Sequence, residues 1–188
     1  MKKEILFIIA GVILLLIIIF LIYRYLKYNE KHLSRRLLKR KIKYDKLIEI
    51  SYSCGGDVNG KMDYIVIDLL KKKITSEYKA YYTDPITIRE YEYPDNILEL
   101  ENKIREYNLP AYKDIPLNPF LIQKDASIKT ITFVYDNSSI NGNKNEYYTI
   151  DFNMGIPKDA RNRLNEVVDL VLSYKRTCKI IKETKKKK

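Results

Sequence analysis

The chain has 188 residues, 35 of them Lys or Arg against 24 Asp or Glu, for a formal net charge of +11. That length holds one ordinary domain with an appendage, and a hydrophobic content of 46% excludes a wholly disordered chain. Two cysteines exclude a disulfide-stapled miniprotein or a multi-cysteine zinc module, and one histidine, His32, excludes most His-dependent catalysis and His-rich metal sites.

The first element in chain order is a membrane helix. Behind a short flank, residues 1–4, the segment 5–23 reads ILFIIAGVILLLIIIFLIY, 19 residues without a charge. As a helix it is about 28 Å long at ~1.5 Å per residue, against a hydrocarbon core of about 30 Å. Helical geometry is required in lipid because only there does the segment satisfy its own backbone polar groups. A cleaved signal peptide has a shorter apolar region, about 7–15 residues, closed by small residues. Here Tyr23, Arg24, Tyr25 and Leu26 follow instead, so an uncleaved single-pass anchor is expected. Tyr23, Tyr25 and Tyr28 suit the membrane–water boundary.

Residues 24–46 carry ten basic and two acidic residues. Positive flanks stay in the cytoplasm, so the expected arrangement puts the N-terminus outside and the body in the cytoplasm, with an extracytoplasmic body as the alternative. The stretch reads as a juxtamembrane helix or stalk, with Leu26, Leu33 and Leu37 near one stripe. Its cations Arg24, Lys27, Lys31, Arg35, Arg36, Lys39, Arg40, Lys41 and Lys43 form a candidate surface for anionic lipid headgroups; a solvated stalk accounts for them equally.

Residues 47–174 read as an α+β domain with a mostly antiparallel sheet of five to six strands and two packed helices. Strands are expected at 47–54, 62–70, 74–83, 86–93, 127–136 and 145–153 from alternation and β-forming residues. In the second, Ile65 and Ile67 face away from Tyr64, Val66 and Asp68. A helix is expected over 94–109, N-capped by Asp95 and stopped by Pro110. A second opens at Pro157 with Leu164, Val167, Val168, Val171 and Leu172 as its buried stripe. The final stretch, 175–188, holds eight basic residues and one acid and is expected to be a disordered basic extension.

The body holds fifteen basic and twenty acidic residues, so the high pI belongs to the two ends. A nucleic-acid-binding domain carries its positive patch on the folded unit, and nucleic acid is therefore not the expected partner. Gly55 to Lys61 matches G-x-x-x-x-G-K, but Met62 replaces the metal-binding hydroxyl and a strand follows instead of a helix, so a hairpin turn is expected. Asp136 to Tyr148 imitates a calcium loop through Asn137, Ser139, Asn141 and Gly142, but Tyr148 stands where a bidentate Glu belongs. Thirteen of 17 tyrosines lie in the body, where strand-forming and core roles are expected, with exposed Tyr rows as a protein-binding face the alternative. The pairs Asp63/Asp68 and Glu99/Glu101 have no distinctive acid–base spacing. Cys54 and Cys178 lack a nearby base in sequence, and no cofactor or metal is expected.

ISYSCGGDVNGKMDYIVIDL, REYNLPAY, ITFVYDN and the closing Pro-led helix resemble a group of uncharacterised small bacterial domains, over roughly 47–174. The group often has Trp where this chain has Tyr112. The resemblance implies an anchored α+β domain, by lipid or by helix, and carries no catalytic residues. The expected function is a non-catalytic binding or interaction domain held at the membrane, with an unidentified protein partner. The alternatives are an enzyme with an unrecognised polar site, and a basic-tailed adaptor for anionic lipid or nucleic acid.

Overall fold

The computed structural model describes residues 2–39, 45–56, 60–115, 128–141, 145–152 and 156–186. Helix α1 runs Lys2–Lys39 without interruption, about 57 Å at ~1.5 Å per residue. It contains one segment, Gly11–Leu33, long and apolar enough to cross a membrane, and none of its most apolar window is buried. The charge-free stretch and the stalk as far as Lys39 are therefore one rod. No proline interrupts it, and Gly11 is its single glycine.

The body is a seven-stranded sheet beneath helices. Its strands are β1 Lys46–Gly55, β2 Met62–Asp68, β3 Lys73–Lys79, β4 Ile86–Tyr91, β5 Ile128–Asp136, β6 Glu146–Asp151 and β7 Ile180–Lys186, in the order β6-β5-β1-β2-β3-β4-β7. Every neighbouring pair is antiparallel. Helix α2 is Ile97–Glu106, a 3-10 segment follows at Leu109–Asp114, α3 is the single turn Ser138–Asn141, and α4 is Lys158–Thr177.

Register and burial place the core on one face. Ile50 pairs with Ile67 and Phe133, Ile67 with Ile74, and Ile74 with Tyr91, so an apolar row crosses the strands. These residues join Leu100 and Ile104 of α2, Leu109 and Tyr112 of the 3-10 segment, and Leu164, Val167 and Val171 of α4 in one cluster. The other face mixes Ser53, Thr75, Thr130, Thr132, Thr149 and charged residues with Val66, Ile88 and the buried Val134, none of which joins that cluster. Thr132 and Thr149 share a 3.0 Å hydrogen bond there. The period-two alternation thus divides the sheet into a face packed under the helices and a mixed one.

The six expected strands lie within one or two residues of their positions at most ends, but β3 stops at Lys79, and Tyr81 and Tyr82 fall in the turn that follows. Three expectations are corrected. The sheet has a seventh strand, because the basic tail is ordered as β7 and pairs with β4 from Ile86↔Lys186 to Tyr91↔Ile180. All seven of its residues are exposed and show no period-two alternation, so only pairing reveals the strand, and its lysines suit an edge. The helix count rises from two because Pro110, placed at the start of a new turn, opens the 3-10 segment. Asn96, not Asp95, is the α2 N-cap, without a side-chain cap bond. In α4, Ala160 and Tyr174 join the buried stripe while Leu172 is half-buried.

Helix α4 carries the chain from β6 across to β7. Its 20 residues give about 30 Å at ~1.5 Å per residue, the same as six strand spacings of about 4.8 Å. Truncation after Cys178 is expected to cost about 2–4 kcal/mol in detergent-solubilised protein, from ~0.2–1 kcal/mol per cross-strand pair. It should also promote self-association through the exposed β4 edge; denaturant titration and size-exclusion chromatography check both.

Candidate functional site

Six of the nine candidate lipid-facing cations lie on described turns of α1. Arg24, Lys27, Lys31, Arg35, Arg36 and Lys39 are all exposed; Arg40, Lys41 and Lys43 lie outside the described residues. At about 100° per residue, Arg24, Lys27, Lys31, Arg35 and Lys39 fall in one sector about 120° wide, with Arg36 beside it. Leu26 and Leu33 fall on the opposite side. Leu33 is half-buried against the domain core, so the stalk turns its apolar side to the body and its cations away from it.

The lowest cations lean back along the helix. The Arg24 guanidinium lies 6.0 Å from the Phe20 ring centroid, and the Lys27 ammonium 6.0 Å from that of Tyr23. This follows from the backward tilt of helical side chains and from cation–π attraction. Both charges therefore lean from their own Cα atoms toward the charge-free stretch. Arg24, Tyr25, Lys27, Tyr28 and Lys31 line an open cavity of about 450 Å³, and the Tyr28 ring packs on His32 at 4.3 Å.

A polar node fixes the chain at Asp45, where the body begins. The Asn137 side chain is buried; its Oδ1 accepts the Asp45 N–H at 3.0 Å and its Nδ2 donates to Glu146 at 2.8 Å. Lys113 of the 3-10 segment donates to Glu146 at 3.3 Å and lies 4.2 Å from the Tyr148 ring centroid. Ser139 donates to Asp45. Asn137 and Ser139, which imitate calcium ligands in sequence, thus hold the first residue of the body to the β5–β6 connection. Bonding from Tyr148, then Lys113 and Asn137, holds the Glu146 carboxyl below its ordinary range, although burial opposes this.

Other polar groups clamp elements together. Lys175 of α4 donates to Asp63 of β2 at 2.6 Å and lies over Tyr78. Tyr107 donates to Glu166 at 2.6 Å between α2 and α4, flanked by Lys103 and Arg163. Asp63 and Asp68 lie on opposite faces of β2, five positions apart. Glu49 and Asp68 are nineteen positions apart, yet the β1–β2 register makes them cross-strand partners. Burial and then Asp68 push Glu49 up. Burial also acts to raise Asp68, but hydrogen bonds from Lys71 hold it below its ordinary value. Asp68 is thereby committed to closing the β2–β3 turn.

Gly55 to Lys61 lies at a β1–β2 hairpin, with Gly56 at φ +85° and Gly60 at φ +74°; Asp57, Val58 and Asn59 lie outside the described residues. Gly60 is also required for space, because a Cβ there would meet the Tyr82 ring at 2.5 Å. Of the tyrosines, Tyr52, Tyr91, Tyr112, Tyr135, Tyr148 and Tyr174 are buried. Exposed Tyr78, Tyr81 and Tyr82 gather on β3 and the turn after it, while exposed Tyr147 stands on β6, four strand spacings away. Cys54 on β1 and Cys178 beside β4 are not joined in a disulfide. Three spacings, about 14 Å at ~4.8 Å each, exceed the Cα separation of about 7 Å a disulfide tolerates.

Comparison of the chain with family models, curated proteins and solved structures found no match, and the functional argument rests on this geometry.

Asn137→Ala is expected to destabilise the body by about 1–3 kcal/mol, the cost of orphaning buried polar partners, as read by denaturant titration. Because its native pKa is depressed, Glu146 contributes stability fully present above its ordinary value of 4.5 and lost as pH falls below it through the native value. Glu146→Gln should therefore flatten the acid limb of the stability profile while changing little at neutral pH relative to that limb.

Proposed function

We propose that this protein is a single-pass, membrane-anchored interaction domain, with residues 5–23 in the bilayer and the α+β body held close to its surface. The observation that carries the reading is the division of α1. Apolar side chains from Val12 to Ile22 stand 44–61% exposed, whereas Leu33, farther along the same helix, packs on the body. In water such a stripe would be a large uncovered apolar surface; in a bilayer it is matched by lipid. A core helix would bury this stretch, and its isolation from the core favours the anchor over that alternative.

The cationic stalk supports a cytoplasmic body. Each of the polar clusters described above joins two elements of the fold, which favours the non-catalytic reading. The adaptor alternative changes form, since Lys182, Lys185 and Lys186 stand on β7 rather than on a loose arm. Its Lys187 and Lys188 lie outside the described residues.

Full-length protein is expected in the membrane fraction and resistant to alkaline extraction, whereas a chain starting at residue 24 is expected in the soluble or peripheral fraction; release of the full-length chain by alkali contradicts the anchor. Cys54 and Cys178 are half-buried, and burial pushes the Cys178 thiol up, so neither is a sound topology probe. Leu70→Cys, in a turn where Leu70 is 57% exposed, in a background lacking both native thiols, should react with an impermeant maleimide only after lysis. Labelling of intact cells would place the body outside.

A further inference from the structure

The geometry points to a headgroup site for an anionic phospholipid on the first turns of the stalk, formed by Arg24, Lys27 and Lys31 and separate in function from the cations above them. The inference rests on the anchored reading and deepens it.

The stalk is straight and continuous with the span, so height above the bilayer follows from residue number. With the hydrocarbon boundary at Tyr23, Cα heights at ~1.5 Å per residue are about 2 Å for Arg24, 6 Å for Lys27 and 12 Å for Lys31. They are about 18 Å for Arg35 and 24 Å for Lys39. A polar headgroup layer occupies about 5–8 Å on each side of the hydrocarbon. Backward-leaning side chains lower the charges further, as Arg24 over Phe20 and Lys27 over Tyr23 show. The first three cations therefore fall nearest phosphate depth, while Arg35 and Lys39, leaning the same way, stand one and two helical turns farther from it.

The same three cations converge. Arg24, Lys27 and Lys31 lie within about 60° of one helix face at ~100° per residue, and with Tyr25 and Tyr28 they border the cavity of about 450 Å³. Its walls supply what a phospholipid headgroup presents: cationic donors for the phosphate and ring faces for the glycerol and upper acyl carbons. The opposite side of the stalk is committed to the body through Leu33, which keeps this face turned to the lipid. The occupant is a lipid rather than a soluble phosphate because Arg24 and Tyr25, which border the opening, directly follow the charge-free stretch. The cationic surface expected from sequence thus contracts to Arg24, Lys27 and Lys31, while the exposed Arg35, Arg36 and Lys39 stand higher on the stalk.

The test uses full-length protein in phosphatidylcholine bilayers carrying spin-labelled phosphatidylglycerol or, as the reference, spin-labelled phosphatidylcholine. The motionally restricted fraction in each gives a relative association constant. The expected preference for phosphatidylglycerol is at least about fivefold, the equivalent of one cation acting at an anionic surface. It should disappear in R24Q/K27Q/K31Q, persist in R24K/K27R, and persist in R35Q/R36Q/K39Q. No preference in the wild type, an equal loss in the upper triple variant, or displacement by inorganic phosphate would each overturn the site. Alkaline extraction of the same samples separates the failures: inserted protein without preference defeats only the headgroup site, whereas extractable protein defeats the anchored reading as well.

Discussion

The constraint on which the rest depends is that α1 is one unbroken helix. A helix hydrogen-bonds its own backbone, so 38 residues can pass from an apolar to an aqueous medium without exposing unsatisfied groups at the boundary. Sharp bends need a proline, a glycine pair or a bulge, and the stalk offers none in its sequence beyond the span. Rigidity converts sequence position into height and angle. It lets Leu33 orient the body and lets the cationic face look elsewhere.

The body receives this rod through polar and apolar contacts of different kinds. Leu33 supplies non-directional burial, and the Asn137 node supplies direction, because a buried amide with donor and acceptor both engaged tolerates little rotation. Helix α4 performs a comparable task on the far side. It crosses the sheet, fixes its last turns through Lys175 to Asp63, and delivers β7 to the open edge of β4. The lysines of β7 then blunt the new edge, so charge that reads as a nucleic-acid tail in one dimension is protection of an edge in three.

Much of the fold was legible in the sequence, because period-two alternation in 47–54, 62–68 and 128–136 leaves one reading of which side chains point inward. The α4 stripe was legible for the same reason at helical period. What was not legible depended on partners distant in sequence. The pairing of β7 needs β4, about ninety positions away, as in Arg89 with Glu183 at 2.7 Å. The role of Asn137 needs Asp45, and the proximity of Glu49 to Asp68 needs the β1–β2 register. For the candidate site, residue identities were legible but their division was not. Charge counting treated nine cations as equivalent, and only helix continuity and side-chain lean separate Arg24, Lys27 and Lys31 from Arg35 and Lys39.

The most direct measurement is a depth profile along α1, using single spin labels at each position from 20 to 39 in reconstituted full-length protein. Collision rates with oxygen and with a water-soluble nickel chelate report lipid and water exposure. The account predicts a crossing from lipid to water between positions 23 and 27, helical periodicity of about 3.6 residues throughout, and protection from both reagents at position 33. Lipid exposure continuing to position 39, or water exposure already at position 20, would contradict it.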